Sequence, residues 1–176
     1  SATKVILPVH FTGRMCEIER IAEIADAHKL HLIEDGAQAF GASANGRMCG
    51  SFGTLSCFSM NPMKVFNAYG EAGAVLTDDE ELKDRLHSLR YAGTINKQDC
   101  HTPSLNGRLD TIQAAMMLVS LKYLPEKIER RRALAAAYYE RLNDVVQCPV
   151  EAEDHRSIYY AYSVLTDRRD ELMAHL

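Results

Sequence analysis

The chain has 176 residues, 47% of them hydrophobic, with 20 Lys and Arg against 24 Asp and Glu and a formal net charge of −4. That length supports a folded domain with a real core, which excludes disordered and fibrous classes, and the charge balance offers no nucleic-acid surface. No apolar run approaches the roughly 20 residues needed to span a bilayer, no signal-peptide pattern opens the sequence, and five scattered cysteines without a C-x-x-C pair argue against a disulfide framework or structural zinc, making a reducing cytoplasm the expected compartment.

In chain order, Val5, Ile6, Leu7 and Val9 form a short apolar run rich in β-branched residues, a buried strand ending near His10. Phe11, Thr12 and Gly13 make a turn. From Cys16 to about His28, Ile18, Ile21, Ala22 and Ala25 recur at helical spacing, the signature of an amphipathic helix. A second strand over 31–34 comes next. Strand, helix and strand in succession predict a parallel pair with a right-handed crossover. The carboxyl ends of parallel strands form a ligand-binding rim, so His10 and Asp35 are expected on one rim.

Asn45-Gly46 reads as a turn, and Gly50 and Gly53 frame a loop. Residues 54–59 and 74–76 are the third and fourth strands. Thr77 and Glu80 have the spacing of a capping box, opening a helix that runs to about Arg90. Residues 91–107 look irregular. A helix beginning near Asp110 is expected to break at Pro125 and restart to about Leu142. Residues 157–165 have strand character, and the sequence turns helical from Asp167. The basic run from Lys127 to Arg132, with Glu129 inside it, is expected to form one solvated helix face.

Two stretches carry chemistry: Glu34-Asp35-Gly36-Ala37-Gln38, and Ser59-Met60-Asn61-Pro62-Met63-Lys64. A strand-end carboxylate, an amide three residues on, a hydroxyl, and a lysine five residues after it suit pyridoxal phosphate (PLP). A lysine amine can form a Schiff base with its aldehyde, a carboxylate can hold its ring nitrogen protonated, and a hydroxyl can contact its phosphate.

These stretches, with Pro8-Val9-His10-Phe11-Thr12-Gly13, Gly70-Glu71-Ala72-Gly73-Ala74 and Asn106-Gly107-Arg108-Leu109-Asp110-Thr111-Ile112-Gln113, resemble in order and separation the PLP-dependent sugar aminotransferases of the DegT/DnrJ/EryC1/StrS type. The resemblance implies that Lys64 attaches the cofactor and shuttles protons, which requires a neutral amine. It implies that Asp35 pairs with the pyridinium nitrogen, Gln38 lies at the ring or its phenolic oxygen, and Ser59 binds the phosphate. Asn106 would reach the cofactor phosphate of a neighbouring subunit, making a homodimer with shared sites. His10 matches a substrate-side rim position, although a strand-end histidine bonded to backbone is an equal reading. Arg108 either grips the carboxylate of the amino donor or is structural.

Some positions depart from the family pattern: Met60, Asn61 and Met63 before the lysine, Val65-Phe66 after it, and Gly36 and Ala72. They bear on the shape of the sugar pocket and remove no group from the cofactor set. Related dehydratases carry histidine at the lysine position, so Lys64 favours amino transfer. Family members are more than twice this length, and an amino-terminal phosphate loop and a ring-stacking aromatic have no counterpart here.

The implied fold is α/β: a mostly parallel sheet flanked by helices, the second half of a fold-type I PLP-enzyme large domain (residues 1–144), with the start of a small carboxyl-terminal domain (residues 145–176). The implied activity moves an amino group, from glutamate by resemblance, to a keto group on a nucleotide-linked sugar. No metal, nucleic acid or membrane partner is expected. Sugar dehydration, cyclitol amination on the same scaffold, and a PLP-binding regulator without turnover stand as alternatives.

Overall fold

The structure is a computed structural model and describes residues 2–176. Its centre is a four-stranded sheet in the order β1 (Val5–Ile6), β2 (His31–Asp35), β5 (Leu55–Ser59), β6 (Gly73–Leu76). The first three strands run parallel, with Val5 opposite His31 and Asp35 opposite Cys57, whereas β6 is antiparallel to β5. The expected strand-helix-strand unit is present: α1 (Ile18–Ala27) crosses between β1 and β2 and buries Ile18 and Ala25. Alternation along β2 buries Leu32 and Glu34, and alternation along β5 buries Ser56 and Phe58. The two polar side chains among these four, Glu34 and Ser56, face each other inside the fold, with Ser56 Oγ 3.4 Å from Glu34 Oε1.

A smaller sheet is built from β3 (Ser43–Ala44), β4 (Arg47–Met48) and β9 (His155–Arg156), with β3 in the middle. The Asn45-Gly46 turn closes the β3–β4 hairpin, both residues at positive φ (48° and 76°), the geometry of the tight turn those residue types favour. β9 is the surprise, because it brings a late segment onto an early hairpin.

The helices correct several expectations. α2 (Glu80–Arg90) is capped by Asp79, whose Oδ1 accepts the Leu82 N–H at 3.0 Å. Thr77 is not the cap, because its hydroxyl donates to the Thr54 carbonyl. Residues 91–107 contain a short hairpin of β7 (Thr94–Ile95) and β8 (Asp99–Cys100). α3 (Thr111–Lys122) and α4 (Leu124–Leu142) are separated only at Tyr123, and Pro125 lies in the first turn of α4, where its missing N–H costs nothing.

The strand expected over 157–165 does not form. After β9 the chain is irregular, Tyr159 takes a left-handed φ of 47°, and only Leu165 bridges to Gln147 before α5 (Arg169–His175). Residues 157–161 instead lie along the turn at Phe11–Gly13. The Ile158 and Ala161 N–H groups donate to the carbonyls of Gly13 and Thr12 at 2.9 and 3.2 Å, and the Ser157 hydroxyl donates to Gly13 at 3.0 Å. Ile158, 1% exposed, shares one hydrophobic cluster with Met15, Ile18, Ala39, Phe58 and Phe66. Residues beyond 144 thus contribute to the core that the earlier elements build.

Candidate active site

The rim follows from strand register. Asp35 ends β2 opposite Cys57, so Ser59, two residues on, ends β5 at the same edge of the sheet. Residues 8–10 run alongside Asp35, whose N–H donates to the Pro8 carbonyl at 2.9 Å and whose carbonyl accepts the His10 N–H at 3.0 Å. Backbone bonds on both sides fix the carboxylate's position.

The Asp35 side chain is half-buried, and its Oδ1 accepts the Ala37 N–H at 3.0 Å. Among the described residues it forms no ion pair. Its charge is nonetheless felt nearby, because burial and the Asp35 carboxylate together push the Cys57 thiol pKa up. Gln38 Oε1 accepts the Thr12 N–H at 2.8 Å, which ties it to a turn where Thr12 has a φ of 62°. Ser59 Oγ accepts the Asn61 N–H at 3.4 Å, leaving the hydroxyl proton free to donate.

Lys64 ends a compact turn. Its N–H donates to the Asn61 carbonyl at 2.9 Å, while Asn61 Oδ1 accepts from the Met63 N–H and Asn61 Nδ2 donates to Glu71. Val65, Phe66 and Ala68 are buried and anchor the chain on the far side of the lysine. Among the described residues the Lys64 amine has no carboxylate partner; it stands over the Tyr160 ring, 4.7 Å from the centroid.

Asn106 and Arg108 bind each other. Asn106 Oδ1 accepts from Arg108 Nε at 2.8 Å, and the guanidinium stacks 4.5 Å above the Tyr91 ring. Both are exposed, and neither is hydrogen-bonded to Asp35, Gln38, Ser59 or Lys64.

His10 is not on the open rim. It is 0% exposed, with Nε2 donating to Glu34 Oε2 at 3.0 Å and Nδ1 facing the Cys16 N–H at 3.3 Å. Both ring nitrogens are engaged inside the chain, so no ring nitrogen is left for a substrate.

Its partner Glu34 escaped the sequence reading. Also 0% exposed, it gathers the N–H groups of Gly50, Phe52 and Gly53 at 2.9, 2.7 and 2.7 Å. Burial pushes the Glu34 pKa up, but the His10 bond and these three amides outweigh it and hold the group down at about 2. Burial pushes His10 down, whereas Cys16, Cys49 and Glu34 outweigh it and raise the ring to about 11. The signal in the sequence was a charge at an inward position of an alternating strand, with a glycine loop after it long enough to wrap it.

Ligand atoms of His10, Glu34 and Cys49 lie within 4.8 Å of one another. The histidine and glutamate already satisfy each other, so the cluster is closed as a hydrogen-bond network rather than open to an ion.

The rim fits pyridoxal phosphate by its donor set. Among the described residues, Asp35 offers a carboxylate without an ion pair and Lys64 an amine without a carboxylate, together with the Ser59 hydroxyl proton and the Gln38 amide nitrogen. Asp35 would hold the ring nitrogen, Ser59 the phosphate, Gln38 the ring and Lys64 the aldehyde carbon.

The model of the DegT/DnrJ/EryC1/StrS aminotransferase family matches residues 1–176. The dTDP-3-amino-3,4,6-trideoxy-alpha-D-glucose transaminase of Streptomyces venezuelae is 40% identical over 176 residues, covering 99% of this chain and 46% of its own. A Geobacillus stearothermophilus protein described as a pleiotropic regulatory protein is 39% identical over 178 residues, covering 99% and 48%. The crystal structure of S. venezuelae DesV in complex with a ketimine intermediate superposes with a TM-score of 0.93 at 40% identity, covering 98% of this chain and 47% of that one. The chain spans about half the length of the curated relatives it matches.

Proposed function

Because this chain belongs to the DegT/DnrJ/EryC1/StrS aminotransferase family, we propose that the protein carrying it is a cytoplasmic, PLP-dependent aminotransferase, which moves an amino group from an amino acid, glutamate by resemblance, to a keto carbon of a nucleotide-linked sugar. What supports this reading is that, among the described residues, the Lys64 amine has no carboxylate partner and the Asp35 carboxylate forms no ion pair.

The cofactor, when bound, supplies an electron sink for the negative charge that develops as a proton leaves carbon. The chain's residues do the rest. Asp35 binds the ring nitrogen and keeps its proton in place. Ser59 donates its hydroxyl to the phosphate, and Gln38, held by Thr12, orients the ring. Lys64 would attach the cofactor and, once the amino group of the substrate displaced it as a free amine, would take the proton from one carbon and return it to another.

Asn106 and Arg108 stand exposed and bound to each other, which suits residues that serve a second subunit's site. Nearby α3 is rich in apolar residues, and Ile112, Leu118 and Val119 are exposed on it, 71%, 65% and 56% respectively. A homodimer would cover such a face.

The test is a borohydride-trapped peptide map of the whole protein purified with PLP, together with an assay for glutamate consumption in the presence of nucleotide-linked keto sugars. A phosphopyridoxyl adduct on Lys64 and sugar-dependent glutamate loss are expected. An unmodified Lys64 in folded protein overturns the reading.

The regulatory name of the Geobacillus relative favours one second reading, a protein that binds PLP and a partner without turnover. An adduct on Lys64 with no consumption of any amino donor would select it.

A further inference from the structure

Tyr160 stands at the site but belongs to none of the stretches that carry the cofactor chemistry. It arrives from the far end of the chain on residues 157–161, and that segment is held more firmly than an irregular stretch needs to be. Gly13 accepts from Ile158 N–H and from the Ser157 hydroxyl, and Thr12 accepts from Ala161 N–H. From the other side, Arg131 Nη1 donates to the Tyr159 carbonyl at 3.0 Å and Arg132 Nη1 to the Ser157 carbonyl at 2.8 Å. Ile158 plugs into the core. Gly13 itself leaves the room: a Cβ there would come within 2.6 Å of Tyr160 N. Every one of these bonds fixes backbone, and their joint effect is to aim one ring at one amine.

That amine is Lys64, 4.7 Å from the ring centroid. The face of an aromatic ring is electron-rich and attracts an ammonium, while a neutral amine gains little from it. The ring therefore discriminates between the two protonation states of the lysine.

We propose that Tyr160 is a positioning residue for Lys64, its ring face docking the charged form of the amine and so setting where the lysine rests and how fast it reacts. This rests on the reading of Lys64 as the reactive lysine, but its test does not use turnover. Thr12 joins the two halves of the arrangement, since the same residue that receives Ala161 also donates to Gln38. The late segment thereby braces the ring-orienting amide as well as the lysine.

The experiment uses the whole protein freed of cofactor. Arylation of Lys64 by trinitrobenzenesulfonate is monitored by peptide mass spectrometry in mildly alkaline buffer, and the ratio of its rate to that of the exposed Lys29 in the same sample is taken. Leucine and phenylalanine leave a similar bulk beside the amine but differ in ring face, which separates docking from access. An exposed cation–π contact of about 0.5–1 kcal/mol corresponds to a roughly two- to five-fold change in the fraction of neutral amine. Tyr160→Leu should raise the ratio about three-fold, Tyr160→Phe should leave it unchanged, and Tyr160→Trp should lower it. A leucine variant that matches the parent overturns the proposal. So does a phenylalanine variant that behaves like leucine, which would assign the effect to the hydroxyl. Borohydride trapping on the same preparations reports separately on the cofactor reading, so the two can fail independently.

Discussion

Glu34 and His10 meet at 3.0 Å inside the core, and neither side chain reaches solvent. The carboxylate sits directly before Asp35 in β2, and its three backbone donors come from the loop over residues 50–53. One buried anion therefore holds the His10 end of the first turn, the wrapping loop and the strand that delivers Asp35. Removing one member of such a pair leaves the other buried and unmatched, which is the costly case.

Glu34→Gln keeps the shape but loses the charge that four donors share. We expect a loss of about 3 kcal/mol of stability, read as a lower urea midpoint without a change in slope. An unchanged midpoint would mean that the loop is held by other means.

Acid should find the same weakness. The Glu34 pKa is depressed from 4.5 to about 2, so its contribution is present above pH 4.5 and is lost as pH falls toward 2. The shift corresponds to about 3 kcal/mol, to order of magnitude. His10 runs the other way: raised from 6.5 to about 11, it stabilises below pH 6.5 and loses that contribution as pH climbs toward 11. The two shifts share the His10–Glu34 bond, so they are not to be added. Unfolding free energy measured against pH should fall at both ends, and in Glu34→Gln the acid limb should flatten.

Gly13→Ala should be disruptive far beyond its size. The residue has a φ of +89°, and the added carbon would lie 2.6 Å from Tyr160 N and 2.8 Å from Ile158 Cγ1. Backbone strain of about 1–2 kcal/mol comes first, and displacement of the 157–161 segment adds to it. Limited proteolysis should then cut near residues 157–161, where the parent resists.

Asp35→Asn separates charge from shape. It should weaken PLP binding and amino transfer by roughly ten- to a hundred-fold, the worth of a charge-assisted bond. It should also speed alkylation of Cys57, since the Asp35 charge is one of the two causes holding that thiol's pKa up. Faster alkylation can be measured without cofactor. A Cys57 rate that does not move would mean burial alone governs it.

Lys64→Ala should abolish the trapped adduct and lower transfer by at least about a thousand-fold, within the range for loss of a positioned acid–base group. Retained transfer in that variant would place the proton carrier elsewhere.

The parts of the molecule legible in the sequence were those governed by local pattern. The spacing of Ile18, Ile21, Ala22 and Ala25 pointed to α1, and strands were expected where β2 and β5 form; the β-branched run before His10 does hold β1, but Val5, Leu7 and Val9 on it are exposed rather than buried. The position of Asp35 at a strand end came from parallel topology. The illegible parts depended on distant partners. Ser157 to Leu165 has strand composition, but its backbone donors go to Thr12 and Gly13, so no ladder forms. Thr77 and Glu80 have capping-box spacing, yet the Thr77 hydroxyl is drawn to Thr54, and Asp79 takes the cap. His10 could be placed at the end of β1, but whether its ring turned outward or inward depended on Glu34, 24 residues away.

The bond from the Ser157 hydroxyl to the Gly13 carbonyl joins residues 144 apart in sequence. A ribosome adding roughly 5–20 residues per second would need on the order of 10–30 s to travel between them. Lys64 precedes Tyr160 by 96 residues, so for roughly 5–20 s of that interval the lysine exists without the ring that faces it. The nascent chain thus carries a reactive amine before its docking surface has been made, and closing so long a loop belongs among the slow, late events of folding. The order of synthesis places maturation of the lysine's surroundings after the lysine itself.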